Sequence, residues 1–435
     1  MSMRSLITMA VMLATLGVGV PRADAQQALD AFLAAGREHA LDLREAELNR
    51  AVARSQIDEA RARWLPSLSA TGGYTRNEVD VVVTIPTSAT TSTQATITPL
   101  DQADLTLQVN VPLIDVGAWL TFAAAEASAD ASERRLGATT AETDLAVATA
   151  YHQVVATRAL RDAAVRGRAA AEAGLARSQA RVAATLASDL EVARAEAEVA
   201  RADQQIADAE LQVTLAERNL EVLTGLTVGP ERAATAVDAL AAPAEPSPSS
   251  VERLSEVRAA DEDLRAARLA RDASWAALAP TVSAFARERI TNASGFGPSA
   301  LWAIGVQATL TLDFLRPAQI GTRERQEELA ELRRERALEL ARTRVIEARA
   351  RLVGSIARVR SARAQEASAR RARDVAIARH ESQLATQLDV LTAERELVSA
   401  EGTRIQAEGD LAVARLAYRV RTTGAIDGSP ETEDR

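Results

Sequence analysis

The stretch Thr185-Leu-Ala-Ser-Asp-Leu-Glu-Val-Ala-Arg-Ala-Glu196 decides the fold, because a near-copy stands 198 residues further on as Gln383-Leu-Ala-Thr-Gln-Leu-Asp-Val-Leu-Thr-Ala-Glu394. Leu186 matches Leu384, Ala187 matches Ala385, Leu190 matches Leu388, Val192 matches Val390 and Glu196 matches Glu394. Ser188 and Asp189 are residue types that cap helix N-termini, so they interrupt a long helical run and let the next helix begin. A duplicated helical hairpin is the simplest reading.

The helix leaving each turn supports it. Val192, Val199, Ile206, Val213 and Leu220 recur every seven residues, with Ala195, Ala202, Ala209, Ala216 and Leu223 three positions later. In the second copy Val390, Leu397, Leu411 and Tyr418 hold the large positions, Arg404 interrupts them once, and Ala393, Ala400, Ala407 and Ala414 hold the small ones. Large residues facing alanines are the pattern of closely approaching coiled-coil helices. A strict seven-residue repeat also asks for left-handed supercoiling.

Reading outward to the N-terminus, Leu29 to Trp64 is helical in character and stops at Leu65-Pro66. The period then changes to two: Leu68, Ala70, Gly72 and Tyr74 alternate with polar residues, as do Leu105, Leu107, Val109, Val111 and Leu113. Between these two strands, Thr84 to Pro99 is Thr-rich and without pattern. Helix resumes near Trp119 and runs to about Ala183, which at ~1.5 Å per residue is on the order of 100 Å. The second copy repeats this order: helix from Val251 to Leu278, strand from Thr281 to about Arg289, and a strand carrying Trp302, Ile304, Val306, Ala308 and Leu310. A long helix then restarts after Pro317. Asp115 to Glu191 and Asp313 to Asp389 both span 76 residues, so strand end and turn keep one separation in both copies. The expected organisation is a signal peptide (1–25), a first repeat (26–225), a Pro-rich linker (226–250), a second repeat (251–424) and a tail (425–435).

Composition narrows the class. The chain of 435 residues carries 51 basic against 60 acidic side chains for a net charge of -9, and every base is arginine. Interleaved charges of this kind are solvated helix faces, and an acidic chain without a basic cluster lacks a nucleic-acid footprint. There is no cysteine, hence neither a disulfide framework nor a lipid-accepting thiol. Arg4, an apolar run from Leu6 to Val20 and Ala23-Asp24-Ala25 before Gln26 have the three-part form of a secretory signal. No later segment reads as an apolar spanning helix, so membrane attachment falls to the strands. Their length and one-sided apolarity suit a transmembrane barrel wall. Four strands cannot close a barrel in lipid alone, so several chains must share one, and three chains would supply twelve strands.

On these residues the chain resembles the TolC-like outer-membrane efflux proteins. The resemblance rests on Ala62-Arg63-Trp64-Leu65-Pro66-Ser67-Leu68-Ser69 and Ala277-Leu278-Ala279-Pro280-Thr281-Val282-Ser283, on the strand ends Val111-Pro112-Leu113-Ile114-Asp115 and Leu310-Thr311-Leu312-Asp313, and on the two turns. It implies a mainly α protein with membrane β structure. Duplicated coiled-coil hairpins would form a periplasmic α-barrel, and four strands per chain would enter a trimeric 12-stranded β-barrel. It further implies a homotrimer in outer-membrane lipid, docked to a periplasmic adaptor and through it to an inner-membrane pump. The pair of shorter helices stacked end to end in such folds corresponds here to Leu29–Trp64 and Leu190–Leu223. The acids matching the family's pore constriction are Glu191 and Asp389, although Thr392 stands where a further acid is frequent. Asp313-Phe314-Leu315 departs from the aspartate-and-glycine step that Asp115-Val116-Gly117 keeps, so the second strand-to-helix bend is expected to differ.

For each candidate a plainer role stands beside the functional one. Glu191 and Asp389 serve equally as first-turn acids favoured by the helix dipole. Leu186-Ala187-Ser188 and Leu384-Ala385-Thr386 offer small, mildly apolar surfaces for an adaptor, or plain turn packing. Trp119 and Trp302 are either interfacial anchors of an aromatic belt or large packing residues, and their places beside strands favour the belt. His39, His152 and His380 are too scattered to suggest a metal. No nucleophile–base pair, phosphate loop or cofactor motif is present, so no catalytic residue is assigned. Two other classes compete with an export duct. A periplasmic adaptor should have one hairpin between small β domains, and a cell-wall hydrolase should offer a placed acid and base.

Overall fold

The computed structural model describes residues 22–86, 88, 90–186, 188–229, 240, 243, 248–311 and 314–426. The expected signal peptide, most of the linker and tail, Ala187 and Asp313 lie outside or largely outside these residues. Eight helices and six strands follow one another along the described chain. They are α1 (Arg22–His39), α2 (Leu41–Ala62), β1 (Ser67–Arg76), β2 (Val81–Pro86), β3 (Ser92–Thr98), β4 (Asp101–Ile114), α3 (Val116–Ala183), α4 (Asp189–Thr224), α5 (Pro248–Glu252), α6 (Ser255–Ala276), β5 (Thr281–Thr291), β6 (Ala300–Thr309), α7 (Leu315–Glu381) and α8 (Gln387–Thr423). The sequence expectation of one helix before Pro66 is corrected to two, broken at Ala40. The expected helix from Val251 to Leu278 is likewise two, α5 and α6.

Two compact units share the chain. One takes residues up to Glu45, Leu136–Ser255 and Glu339 onward; the other takes Ala46–Arg135 and Glu256–Leu338. Each unit therefore draws on both sequence repeats.

In the first unit the heptads become a thin core. Ala195, Ala202, Val213, Ala216 and Leu220 are buried on α4, and Val390, Ala393, Ala400, Ala407 and Leu411 on α8. One cluster gathers Leu33 of α1, Val147, Tyr151 and Val154 of α3, Leu220 of α4 and Val420 of α8; another packs Leu352, Ile356 and Val359 of α7 on Leu411 of α8. Each fully buried leucine contributes about 1.5–3 kcal/mol relative to exposure. Arg37 adds a two-pronged contact from α1 to the buried Asp144 of α3, at 2.7 and 2.5 Å. Gly225 ends α4 with φ +68, and a Cβ there would also come within 3.1 Å of the His39 ring. Left-handed geometry and the close His39 ring thus both favour glycine.

In the second unit β1, β4, β5 and β6 form one antiparallel sheet in the order β1-β4-β5-β6, the four strands expected from alternation. Its ladders run from Ser67↔Asn110 to Arg76↔Asp101, from Asp104↔Thr291 to Ile114↔Val282 with a bulge between Pro112 and Ile114, and from Thr281↔Thr309 to Ile290↔Ala300. The unpatterned reading of Thr84–Pro99 is corrected: most of it belongs to β2 and β3, an antiparallel pair with its own register. The loop after β5 braces this pair, as the Gly295 amide donates to the Thr96 carbonyl. Asn292 ties the same loop to β4 by accepting from the Ala103 amide at 2.8 Å and donating to the Asp101 carbonyl at 2.7 Å.

The hairpin turns and the bare sheet

Both hairpins turn by the same backbone device. At the end of α3 the Leu186 amide donates to the Arg181 carbonyl and the Thr185 amide to Val182, with Thr185 left-handed at φ 57. At the end of α7 Leu384 donates to Arg379 and Gln383 to His380, with Gln383 at φ 62. These crossed bonds make a Schellman closure, usually built with glycine. A non-glycine residue there costs roughly 1–2 kcal/mol, so two such residues at matched positions show how firmly the rest of the turn fixes the chain.

The helices that follow start differently. At α8, Thr386 is the N-cap: its hydroxyl accepts from the Asp389 amide at 3.3 Å, and Asp389 Oδ2 accepts from the Thr386 amide and hydroxyl, each at 2.8 Å. This reciprocal capping box satisfies two terminal amides at once. The Thr386 hydroxyl and amide, together with Arg379 and His380, hold the Asp389 carboxyl below its usual range. The Ala385 carbonyl meets His380 Nδ1 at 3.0 Å. At α4, Ser188 occupies the N-cap with extended backbone but makes no side-chain cap bond. Glu191 sits where a capping acid would, yet its Oε2 is buried and without a hydrogen-bond partner.

The turns are joined by a residue that pattern reading passed over. Gln387, 8% exposed, donates from Nε2 to Ser178 Oγ of α3 at 2.6 Å and to the Glu191 carbonyl of α4 at 3.0 Å. Only its place opposite Asp189 in the 198-residue alignment marked it as a departure. Below it, Arg395 of α8 pairs with Glu198 of α4 at 2.5 Å, and Arg177 of α3 with Glu394 of α8 at 3.4 Å. Burial pushes the Glu394 carboxyl upward, and Arg177 and Arg373 counter part of that shift. Glu191 and Gln387 are thus brought into contact, and Asp389 is committed to its cap. Leu186 and Leu384 are 60% and 70% exposed, and Leu190 and Leu388 join them as exposed leucines. Ser188 and Thr386 are exposed too, while Ala385 is half-buried.

The sheet inverts the usual rule of burial. Along β4 the apolar Leu105, Leu107 and Val109 are the exposed residues, and the polar Gln102, Asp104, Thr106 and Gln108 are half-buried. Direct partners share a face. The bare apolar face therefore continues through Leu68 and Ala70 of β1, Ala286 and Ile290 of β5 and Trp302, Ile304 and Val306 of β6, interrupted by Glu288 between Leu107 and Trp302. Trp302 is 78% exposed, and Trp119, half-exposed, lies in the first turn of α3. Asp115 caps that helix by accepting from the Ala118 amide at 2.9 Å. Near the second strand-to-helix step Phe314 is 99% exposed and Trp275 is also open, two aromatic residues that the alternation pattern did not single out. Among the described residues no helix is long and apolar enough to cross a membrane, and no cluster of His, Asp and Glu is arranged to hold a metal.

A duplicated long-helix hairpin joined to a four-stranded sheet with a bare apolar face defines a membrane-sheet and coiled-coil class of protein. The sequence profile of the outer membrane efflux protein family matches residues 34–226 and 249–419, and the chain belongs to that family. Among solved structures, the chain resembles CusC, described as undergoing conformational changes with folding and transmembrane channel formation, at 17% identity over 94% of this chain and 95% of that one, TM-score 0.77. It also resembles the outer membrane protein VceC of Vibrio cholerae, at 19% identity over 92% and 97%, TM-score 0.73. A third likeness is to the open state of the MtrE outer membrane channel of Neisseria gonorrhoeae, at 21% identity over 94% and 91%, TM-score 0.73. No curated protein matches the chain by sequence.

Proposed function

We propose that the protein is the outer-membrane duct of a tripartite export system, a homotrimer whose twelve strands close one barrel and whose paired hairpins continue it into the periplasm. The observation that carries this reading is the apolar face of the sheet, where Leu68, Trp302, Ile304 and Val306 are 68–78% exposed. Leaving residues such as Leu68, Ile304 and Val306 in water would forfeit about 1.5–3 kcal/mol each, whereas lipid satisfies them. Trp119 and Trp302 then serve as membrane-interface residues. Residues 26–225 and 251–424 are the two repeats, joined through 226–250, behind a signal at 1–25 and ahead of a tail at 425–435. Conduction needs no catalytic residue or cofactor. An adaptor would carry one hairpin where this chain has two, and a hydrolase would need an acid and base in one cleft.

Docking falls to the turns. Leu186, Ala187, Ser188, Leu384, Ala385 and Thr386 offer a periplasmic adaptor, itself coupled to an inner-membrane pump, six similar small apolar ends around a trimer. A charged side chain there would be stranded at a desolvated contact. Replacing Ala187 and Ala385 together by Glu should abolish drug or metal tolerance at an unchanged level of outer-membrane oligomer. Normal tolerance in those cells would reject docking through these residues.

Glu191 and Asp389, repeated around a threefold axis, supply the constriction at the periplasmic mouth and favour cations. In planar bilayers Asp389→Ala and Glu191→Ala should raise conductance or lose cation preference. Unchanged currents in both variants would leave these acids with purely local roles.

A further inference from the structure

Alternation along β5 places Phe285, Arg287 and Arg289 on the polar face of the sheet, opposite Asn110, Gln108 and Thr106 of β4, and leaves Glu288 on the other face. The two arginines have different surroundings. Arg289 is neutralised by Asp104, which accepts from its Nη2 at 2.8 Å and its Nε at 3.2 Å. Arg287 is exposed and forms no ion pair among the described residues, and its ladder partners Gln108 and Ala303 carry no charge. Its guanidinium instead stands over the Phe285 ring, 5.9 Å from the centroid. That ring is seated in turn on its own ladder partner, Gly305 of β6, where a Cβ would come within 3.0 Å of the ring tip. A bare backbone thus holds the ring and the ring holds the cation, which leaves the guanidinium N–H groups free while fixing where they stand.

On the polar face of the four strands, two arginines against one aspartate leave one positive charge per chain. Gln108, opposite Arg287, stands about 24 Å along β4 from Asp101 at the outer strand end, so acids in the loops beyond are screened from it. We propose that Arg287 makes a carboxylate-binding site on the inner wall of the barrel, repeated around the lumen, and that it favours organic anions there. This rests on the shared barrel proposed above, in which the polar face lines the lumen. A guanidinium presents a planar fork that matches a carboxylate. Twelve strands about 4.8 Å apart enclose a lumen roughly 20–25 Å across, so side chains reaching inward stand within about a Debye length of the axis. Three like charges then act together on what passes. Their sign is opposite to that of Glu191 and Asp389 at the turns, so the duct presents its cargo with two unlike fields in succession.

Citrate is a suitable probe. Added to the barrel side of the natural protein in planar bilayers it should reduce the single-channel current, and Arg287→Gln should raise the half-blocking concentration about tenfold. Arg287→Lys, which keeps the charge but not the fork, should fall between the two. Arg289→Gln with Asp104→Asn removes an ion pair at unchanged net charge and should be blocked as the natural protein is. Where the trimer carries no current, equilibrium dialysis of citrate against it in detergent makes the same comparison. Absence of block or binding in the natural protein, or an equal response from Arg287→Gln, would overturn the site. An equal loss in the Arg289→Gln, Asp104→Asn protein would also overturn it, by assigning the effect to the whole face. A protein that forms no trimer would instead reject the shared barrel, and the site with it.

Discussion

At the second turn Thr386 and Asp389 exchange hydrogen bonds and close α8, whereas at the first Ser188 caps α4 with its backbone alone and Glu191 turns a carboxylate oxygen inward. The sequences Ser188-x-x-Glu191 and Thr386-x-x-Asp389 both carry the capping-box signature. The backbones agree down to the left-handed residue before each turn. A duplicated backbone therefore does not impose a duplicated use of its side chains. The first turn lends its Glu191 carbonyl to Gln387, and the position of Gln387 in its own copy is taken by Asp189.

That comparison can be broken in three ways. The stems should be alike and strong: Leu220→Ala and Leu411→Ala, each emptying a fully buried site, should each lower unfolding stability by about 2–5 kcal/mol in detergent-solubilised protein. A large effect in one hairpin and none in the other would deny that the stems are equivalent. The turns should be unlike. Thr386→Ala should cost about 1 kcal/mol through loss of its cap, while Ser188→Ala, which breaks no side-chain cap bond, should cost a few tenths at most. Equal costs would mean that the asymmetry of the caps has no energetic content.

The smallest effect is in pH. Because the folded protein holds the Asp389 carboxyl below its unfolded range, the stabilisation it gives is complete above about pH 4 and is lost as the pH falls through the depressed value. The difference in Tm between the natural protein and Asp389→Asn should accordingly be present at neutral pH and vanish on acidification. A difference that persists undiminished at low pH would place its origin elsewhere than the carboxylate.

Much of this was legible in the residues. The alternation of Leu105, Leu107 and Val109 marked both the strand and its apolar face, and the heptads named Ala195, Ala202, Val213, Ala216 and Leu220 on α4 and Val390, Ala393, Ala400, Ala407 and Leu411 on α8, but not the equally buried Leu391, Ile405 and Val420. The 198-residue repeat located both turns. What stayed hidden has physical causes. Val81-Val-Val-Thr-Ile85 is β-branched but does not alternate, so a reading by alternation passed over β2, and its partner β3 takes a hydrogen bond at Thr96 from Gly295, a residue two hundred positions away. Thr185 and Gln383 adopt left-handed backbone without glycine, so nothing at those positions announced a Schellman closure. The inward turn of Glu191 follows from tertiary packing that a capping motif cannot express. Nor does Ala40, a good helix former, disclose the break between α1 and α2.

The sheet also has a kinetic consequence. A chain that finishes folding with two unpaired strand edges and an apolar face in water is a template for any strand it meets, correct or not. On the shared barrel proposed above, maturation is a race between pairing with a second copy in the membrane and aggregation outside it. The winner is set by chain concentration and by how quickly lipid is reached, so a single-molecule folding free energy does not describe this protein's persistence.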